Sequence, residues 1–181
     1  LQQEKEDILL IICQQNDPFL QSFEEFAKES KIEIFCPDDP NEPSSLYKLK
    51  SVDADLFILA GYGMILGKRC ISIPKMHCIN LHGGKLPEYR GSSPMNWALM
   101  KGEKEVGISI IEVDSGIDTG FILAETSTQI DSDTTIADLH YWNIPIKIFN
   151  GNIKYCISLN KTYFIGLILN IYLRINKKIL R

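Results

Sequence analysis

Residues 80–94 read Asn80-Leu-His82-Gly83-Gly84-Lys85-Leu86-Pro87-Glu88-Tyr89-Arg90-Gly91-Ser-Ser-Pro94, directly after the apolar run His77-Cys78-Ile79. The run has strand length and the glycines that follow end it, so the stretch predicts a strand closing into a loop. Side chains alternate along a strand, which puts Asn80 and His82 on one face. One is a neutral amide donor and the other titrates near neutrality. The pair suits a reaction in which a carbonyl oxygen gains negative charge while a proton moves. Gly83 and Gly84 let backbone approach a ligand closely, and Leu86-Pro87 with Arg90-Gly91 fixes a turn.

Upstream of this stretch, short apolar runs alternate with segments of helical spacing. Ile8–Cys13 is a continuous apolar run of the kind buried in a parallel sheet. Asn16 or Asp17 can cap a helix with Pro18 in its first turn, whose inner face would carry Phe19, Phe23, Phe26 and Ala27. Residues 32–36 and 55–60 read as two further strands, with a short helix near 44–51 between them. Gly61-Tyr-Gly63 after the third strand invites a dinucleotide site, but Leu66 stands where the third glycine belongs.

Downstream, a helix is predicted from Pro94 to Lys101, ending at Gly102. Strands are expected at 106–113 and from Phe121, and a helix from Thr134 to His140 capped by Asp133. The alternation predicts an α/β fold: a Rossmann-like open sheet, mostly parallel, with helices on both faces. In such sheets the loop after the strand at 77–81 is a usual place for a site.

Composition narrows the classes. The 181 residues suffice for one domain with a real core, and the net charge of −4 offers no general attraction to nucleic acid or acidic lipid. Five scattered cysteines without a Cys-x-x-Cys pair argue for a reducing compartment and against a disulfide framework or zinc site. With three histidines, no His-rich metal cluster is expected. The charged start Leu1-Gln-Gln-Glu-Lys-Glu-Asp is not a signal peptide, so a cytoplasmic location is expected, and a first residue other than Met suggests missing upstream residues.

Asp118 is the third candidate for chemistry. It follows a glycine-containing turn, Asp114-Ser-Gly116-Ile-Asp118-Thr-Gly120, 38 residues after Asn80. Returned to the same site, its carboxylate would orient the His82 ring and accept a proton from an attacking amine. Alone it reads more readily as a turn residue bonding nearby amides. Asp118-Thr-Gly120 also spells the aspartic-protease triplet, but such a protease needs two of these loops and leaves Asn80 and His82 without a role.

Asn80-x-His82, Leu86-Pro87-x-Tyr89-Arg90-Gly91, Pro94 and Asp118-Thr119-Gly120 together resemble the signature of the folate-dependent formyltransferases, over about residues 8–140. The resemblance implies 10-formyltetrahydrofolate as cosubstrate, no metal, and a primary amine as acceptor. It further implies that Asn80 and a protonated His82 stabilise the oxyanion while Asp118 holds the imidazole and helps remove the amine proton. Met64, Ile65 and Leu66 match the family segment that holds the pterin, and 113–118, with Val113 and Gly116, match the loop on its other side. Gly83, Lys85, Glu88, Tyr89 and Arg90 fall in the loop expected to touch the acceptor; Lys85, Glu88 and Tyr89 also read as solvated loop residues.

His82-Gly83, the Leu-Pro-x-Tyr-Arg-Gly run and Asn96-Trp97-Ala98 look more like the branch acting on nucleotide-linked amino sugars than the glycinamide ribonucleotide branch. The implied acceptor is a 4-amino-4,6-dideoxyhexose whose formylated product enters surface polysaccharide such as lipopolysaccharide O-antigen. A methionyl-tRNA formyltransferase-like activity, hydrolysis of formyl-folate and an inert truncated relative are the alternatives.

The termini depart from the pattern. The family has a central strand ahead of the one matched by 8–13, so either the sheet closes another way, with tail residues, or the chain is a fragment. Residues 141–181 carry five Lys, two Arg and no acid, leaving −11 on residues 1–140. Asn150-Gly151 within this tail is a hairpin signal. The run 164–173 is too short and interrupted to span a membrane. The tail is expected to pack on its own domain or a partner subunit, a homodimer being one such assembly, with no nucleic acid partner and no independent domain.

Overall fold

The computed structural model describes residues 7–18, 20–140, 144–150, 153–159 and 170–174, with side chains for 8–18 and 20–139. The chain divides into two compact units at residue 80; the first also takes in the last described strand.

The first unit starts with β1 (Asp7–Ile12), α1 (Leu20–Ser30), β2 (Glu33–Phe35), α2 (Pro43–Ser51), β3 (Leu56–Ala60) and α3 (Lys68–Ile71). Leu10, Ile11, Cys13, Leu56 and Phe57 are completely buried, the outcome expected of unbroken apolar strands. α1 buries Phe23 and Ala27 as its spacing predicts, while Phe19 lies outside the described residues. The helix begins later than Asn16 or Asp17 would set it, because residues 14–17 first form a turn closed by Asp17 N–H on the Gln14 carbonyl at 3.1 Å. Pro43 opens α2, where its missing N–H costs nothing. α3 is too short to leave a helical period in the sequence.

Strand pairing in this unit is mixed. β1 runs parallel to β2 through Leu10↔Glu33 and Ile12↔Phe35. The tail strand β9 (Asn170–Arg174) lies between β1 and β3, antiparallel to both: Ile171 pairs Ile11 on one side and Ile58 on the other. Tail residues thus supply the ladder partner that β1 and β3 would otherwise lack on these edges.

β4 (His77–His82) carries the chain across the division. The second unit continues with α4 (Pro94–Met100), β5 (Glu105–Glu112), β6 (Ile122–Gln129) and α5 (Ile136–His140). It ends in an antiparallel hairpin of β7 (Ile144–Asn150) and β8 (Ile153–Leu159), whose two turn residues lie outside the described ones. β5 and β6 pair antiparallel from Glu105↔Gln129 to Ile111↔Ile122. β6 is longer than its apolar start suggests, because Glu125–Gln129 alternates polar side chains outward while the ladder continues.

α5 starts two residues after the expected Thr134, and Asp133 is not its cap. Thr135 N–H donates to Asp138 Oδ2 at 2.8 Å and Asp138 N–H returns a bond to Thr135 Oγ1 at 3.3 Å, a reciprocal capping box. Asp131 caps the preceding turn, accepting from Thr134 Oγ1 at 2.8 Å and from the Asp133 N–H at 3.0 Å. Among the described residues no helix is long and apolar enough to cross a membrane.

Candidate active site

Asn80, His82 and Asp118 meet in the second unit. β4 presents the first two, and the turn between β5 and β6 presents the third. Asn80 Nδ2 donates to Asp118 Oδ1 at 3.2 Å, and His82 Nδ1 lies 3.4 Å from Asp118 Oδ2. The other imidazole nitrogen, Nε2, is 2.5 Å from the Tyr89 carbonyl oxygen. The His82 side chain is 6% exposed and that of Asp118 15%, so the pair is shielded with its open side toward the carboxylate. Both ring nitrogens thus face oxygens, the Asp118 carboxylate on one side and the Tyr89 carbonyl on the other.

The loop after His82 is fitted to this ring. A Cβ on Gly84 would stand 2.6 Å from Pro94 Cβ, 2.9 Å from the Tyr89 carbonyl oxygen and 3.0 Å from His82 Nε2. Gly84→Ala must therefore push Pro94 and with it the Tyr89 carbonyl or the imidazole out of place. A displacement of that size is expected to lower turnover by about 100-fold and stability by about 1–3 kcal/mol; kinetics and a thermal melt measure the two losses.

Ser109 on β5, fully buried, fastens the same loop from beneath. Its Oγ accepts from the Leu86 N–H at 3.2 Å and lies 2.8 Å from both the Gly84 carbonyl and Glu125 Oε1. Sequence reasoning passed over Ser109; its only signal was one hydroxyl in an otherwise apolar strand.

Asp118 has φ 49°, left-handed for a residue with a Cβ. Gly91 N–H donates to its Oδ2 and Arg90 Nε–H to its main-chain oxygen, each at 3.0 Å. The rest of the turn is organised by Asp114, which accepts from Thr119 Oγ1 at 2.7 Å and from the Gly116 N–H at 2.9 Å. Those donors, the Thr119 hydroxyl first and then the Gly116 amide, hold the Asp114 carboxyl below the usual carboxylate range. Val113 is half-buried beside this turn, and the exposed side chains of Ile117 and Phe121 flank Asp118 in sequence.

The other loop residues singled out from sequence are engaged elsewhere. Lys85 Nζ lies 3.0 Å from Glu105 Oε1, which raises the ammonium pKa chiefly by hydrogen bonding. Tyr89 donates its hydroxyl to Glu103 Oε1, and that bond pushes the phenol up to about 12. With Gly83, Gly84 and Glu88 they line an open cleft of about 390 Å³, floored by Pro94, Met95, Ala98 and Val106. Asn80, His82 and Asp118 are not among its walls.

In the first unit, Met64, Ile65 and Leu66 lie in the loop after β3, with Leu66 buried and Ile65 72% exposed. Asn41 brackets this loop, donating from Nδ2 to the Ile65 carbonyl at 2.9 Å and accepting the Gly67 N–H on Oδ1. Its amide fixes the backbone around Leu66 as a strand partner would.

At the strand end of an α/β fold, Asn80, His82 and Asp118 place a carboxamide, an imidazole and a carboxylate within hydrogen-bonding reach of one another. The particular lineage follows from comparison: residues 2–141 match the formyl transferase family, and the chain belongs to it. The chain is 33% identical over 147 residues to a methionyl-tRNA formyltransferase of Acetivibrio thermocellus, covering 77% of this chain and 47% of that protein. It is 41% identical over 117 residues to that of Clostridium novyi, covering 64% of this chain and 38% of that protein. Among solved structures, phosphoribosylglycinamide formyltransferase from Bacillus halodurans aligns with a TM-score of 0.65 at 25% identity, covering 74% of this chain and 71% of the other. The chain spans about half the length of the curated relatives it matches.

Proposed function

We propose that this site transfers a formyl group from 10-formyltetrahydrofolate to a primary amine. The observation that carries the reading is the convergence of Asn80, His82 and Asp118. In this reading the amine nitrogen attacks the formyl carbon and the carbonyl electrons move onto oxygen. The Asn80 amide keeps a second N–H beyond the one given to Asp118 and directs it at that oxygen. His82 adds its Nε2–H, because a hydrogen bond to an anion is roughly twice as strong as the one to the neutral Tyr89 carbonyl. Asp118 holds the charged ring and takes up the amine proton; collapse of the intermediate breaks the bond from the formyl carbon to the tetrahydrofolate nitrogen, which leaves carrying that proton. Within the second unit, Val113, Ile117 and Phe121 offer apolar surface of the kind a flat pterin covers.

For the acceptor we propose a nucleotide-linked amino sugar of the 4-amino-4,6-dideoxyhexose type, on the strength of His82-Gly83, Leu86–Gly91 and Asn96-Trp97-Ala98. A second reading, transfer to an aminoacyl-tRNA, is favoured by the names of relatives 33–41% identical to this chain. An acceptor screen decides between them. The chain is incubated with 10-formyltetrahydrofolate and, in turn, an amino-sugar nucleotide, methionyl-tRNA and glycinamide ribonucleotide. Mass spectrometry then seeks a gain of one formyl group. The amino-sugar nucleotide is expected to be formylated. Formylation of methionyl-tRNA alone would transfer the assignment to the second reading, and formate release with no formylated amine would overturn transfer altogether.

A further inference from the structure

We propose that Arg90 is a positioning residue for Asp118 and does not touch the acceptor; the proposal rests on the reading of Asp118 as part of a transfer site. The side chain and backbone of two consecutive residues grip opposite ends of one aspartate. Arg90 Nε–H holds the Asp118 main-chain oxygen and Gly91 N–H holds carboxylate Oδ2, both at 3.0 Å. Gly91 reaches its partner through φ 91°, where a side chain would be strained, although nothing lies within 4 Å of a Cβ placed there.

The two grips do different work. Asn80 and Gly91 decide which way the carboxylate points once Asp118 is in place. Arg90 acts on the backbone, and among the described residues the Asp118 carbonyl has no other hydrogen bond. A residue held at φ 49° reverts to the right-handed or extended region when nothing restrains its peptide group. That reversion would swing the carboxylate away from His82 Nδ1, now 3.4 Å from it. The guanidinium suits the task because Nε–H is a single donor fixed in a plane. A lysine ammonium on a free stem has no such fixed direction. With Nε committed to Asp118, the plane of the guanidinium is anchored to the protein.

The test uses the chain with ¹⁵N-labelled histidine, in wild-type form and as Arg90→Ala and Arg90→Lys. His82 signals are assigned against His82→Gln. Arg90→Ala is expected to shift the His82 Nδ1 resonance and lower kcat by about 100-fold, with KM for amine and folate within about threefold. Arg90→Lys should be impaired to a similar degree, and methylguanidinium should restore part of the Arg90→Ala rate. A rise in acceptor KM with kcat retained would overturn the proposal in favour of a substrate contact. An unmoved His82 resonance, or full activity in Arg90→Lys, would also overturn it. If the wild-type chain formylates nothing, the transfer reading fails, while the imidazole resonance by itself still decides whether Arg90 holds Asp118.

Discussion

Asp118→Asn is expected to lower kcat for formyl transfer by about three to four orders of magnitude while the protein stays folded. The carboxylate faces three donors: Asn80 Nδ2 at 3.2 Å, Gly91 N–H at 3.0 Å and His82 Nδ1 at 3.4 Å. An asparagine of the same shape must turn an NH₂ group toward at least one of them, and a donor cannot accept. If the amide faces Asn80, the other oxygen keeps Gly91 and His82 but loses the charge that stabilises a cationic imidazole. If it faces His82, the ring must give up its Nδ1 proton and become a neutral tautomer. Either arrangement removes the cation that would meet the oxyanion. His82→Ala removes the ring itself and should cost a similar factor. The double variant should be little worse than either single one, because the residues act as a unit. Steady-state kinetics on the three variants, with melting curves to show retained folding, measure this. Turnover within tenfold of wild type in either single variant would sink the site assignment.

The convergence of those three side chains was legible because strand alternation is a strict rule. Two positions separated by one residue on a strand must share a face, so Asn80-x-His82 predicts its own geometry. A carboxylate 38 residues on could be matched to them by family likeness. The buried strands of the first unit were legible for a similar reason: an apolar run such as Leu10–Cys13 has nowhere to go but inside.

What was not legible depended on partners far along the chain. Lys85 and Tyr89 read as acceptor-loop or solvated residues, and each finds a carboxylate on or just before β5, at Glu105 and Glu103. The bond from Arg90 Nε–H to the Asp118 carbonyl, 28 residues on, likewise left no local trace. The place of β9 between β1 and β3 joins residues more than a hundred positions apart, and no local pattern encodes that pairing. The start of α5 failed for a smaller reason. Asp133 and Thr135 are both good caps by type, and only Asp138, three residues after Thr135, completes a capping box.

Gly120→Ala carries the largest expected effect on stability. A Cβ built there would fall inside the Glu112 carbonyl group, with the carbonyl carbon 2.8 Å away. Unlike a long side chain, a Cβ has no rotamer by which to escape, and its obstacle is backbone. The two chain segments must therefore separate. They are joined at this point by the Glu112 N–H bond to the Phe121 carbonyl at 2.9 Å, just beyond the last β5–β6 ladder pair, Ile111↔Ile122. Opening them breaks that bond and releases the turn that carries Asp114 and Asp118. The expected cost is about 3–5 kcal/mol, above the usual range for overpacking because no side chain can yield. For a domain of this size that corresponds to a fall of roughly 10 °C in Tm. Gly102→Ala is the matched control. It sits at φ 67° with nothing within 4 Å of its Cβ, so only conformational strain opposes the methyl group, at about 1 kcal/mol. Melting of both variants by circular dichroism gives the comparison. Should Gly120→Ala melt no lower than Gly102→Ala, the close approach of residues 112 and 120 would be wrong, and with it the turn geometry that places Asp118 beside His82.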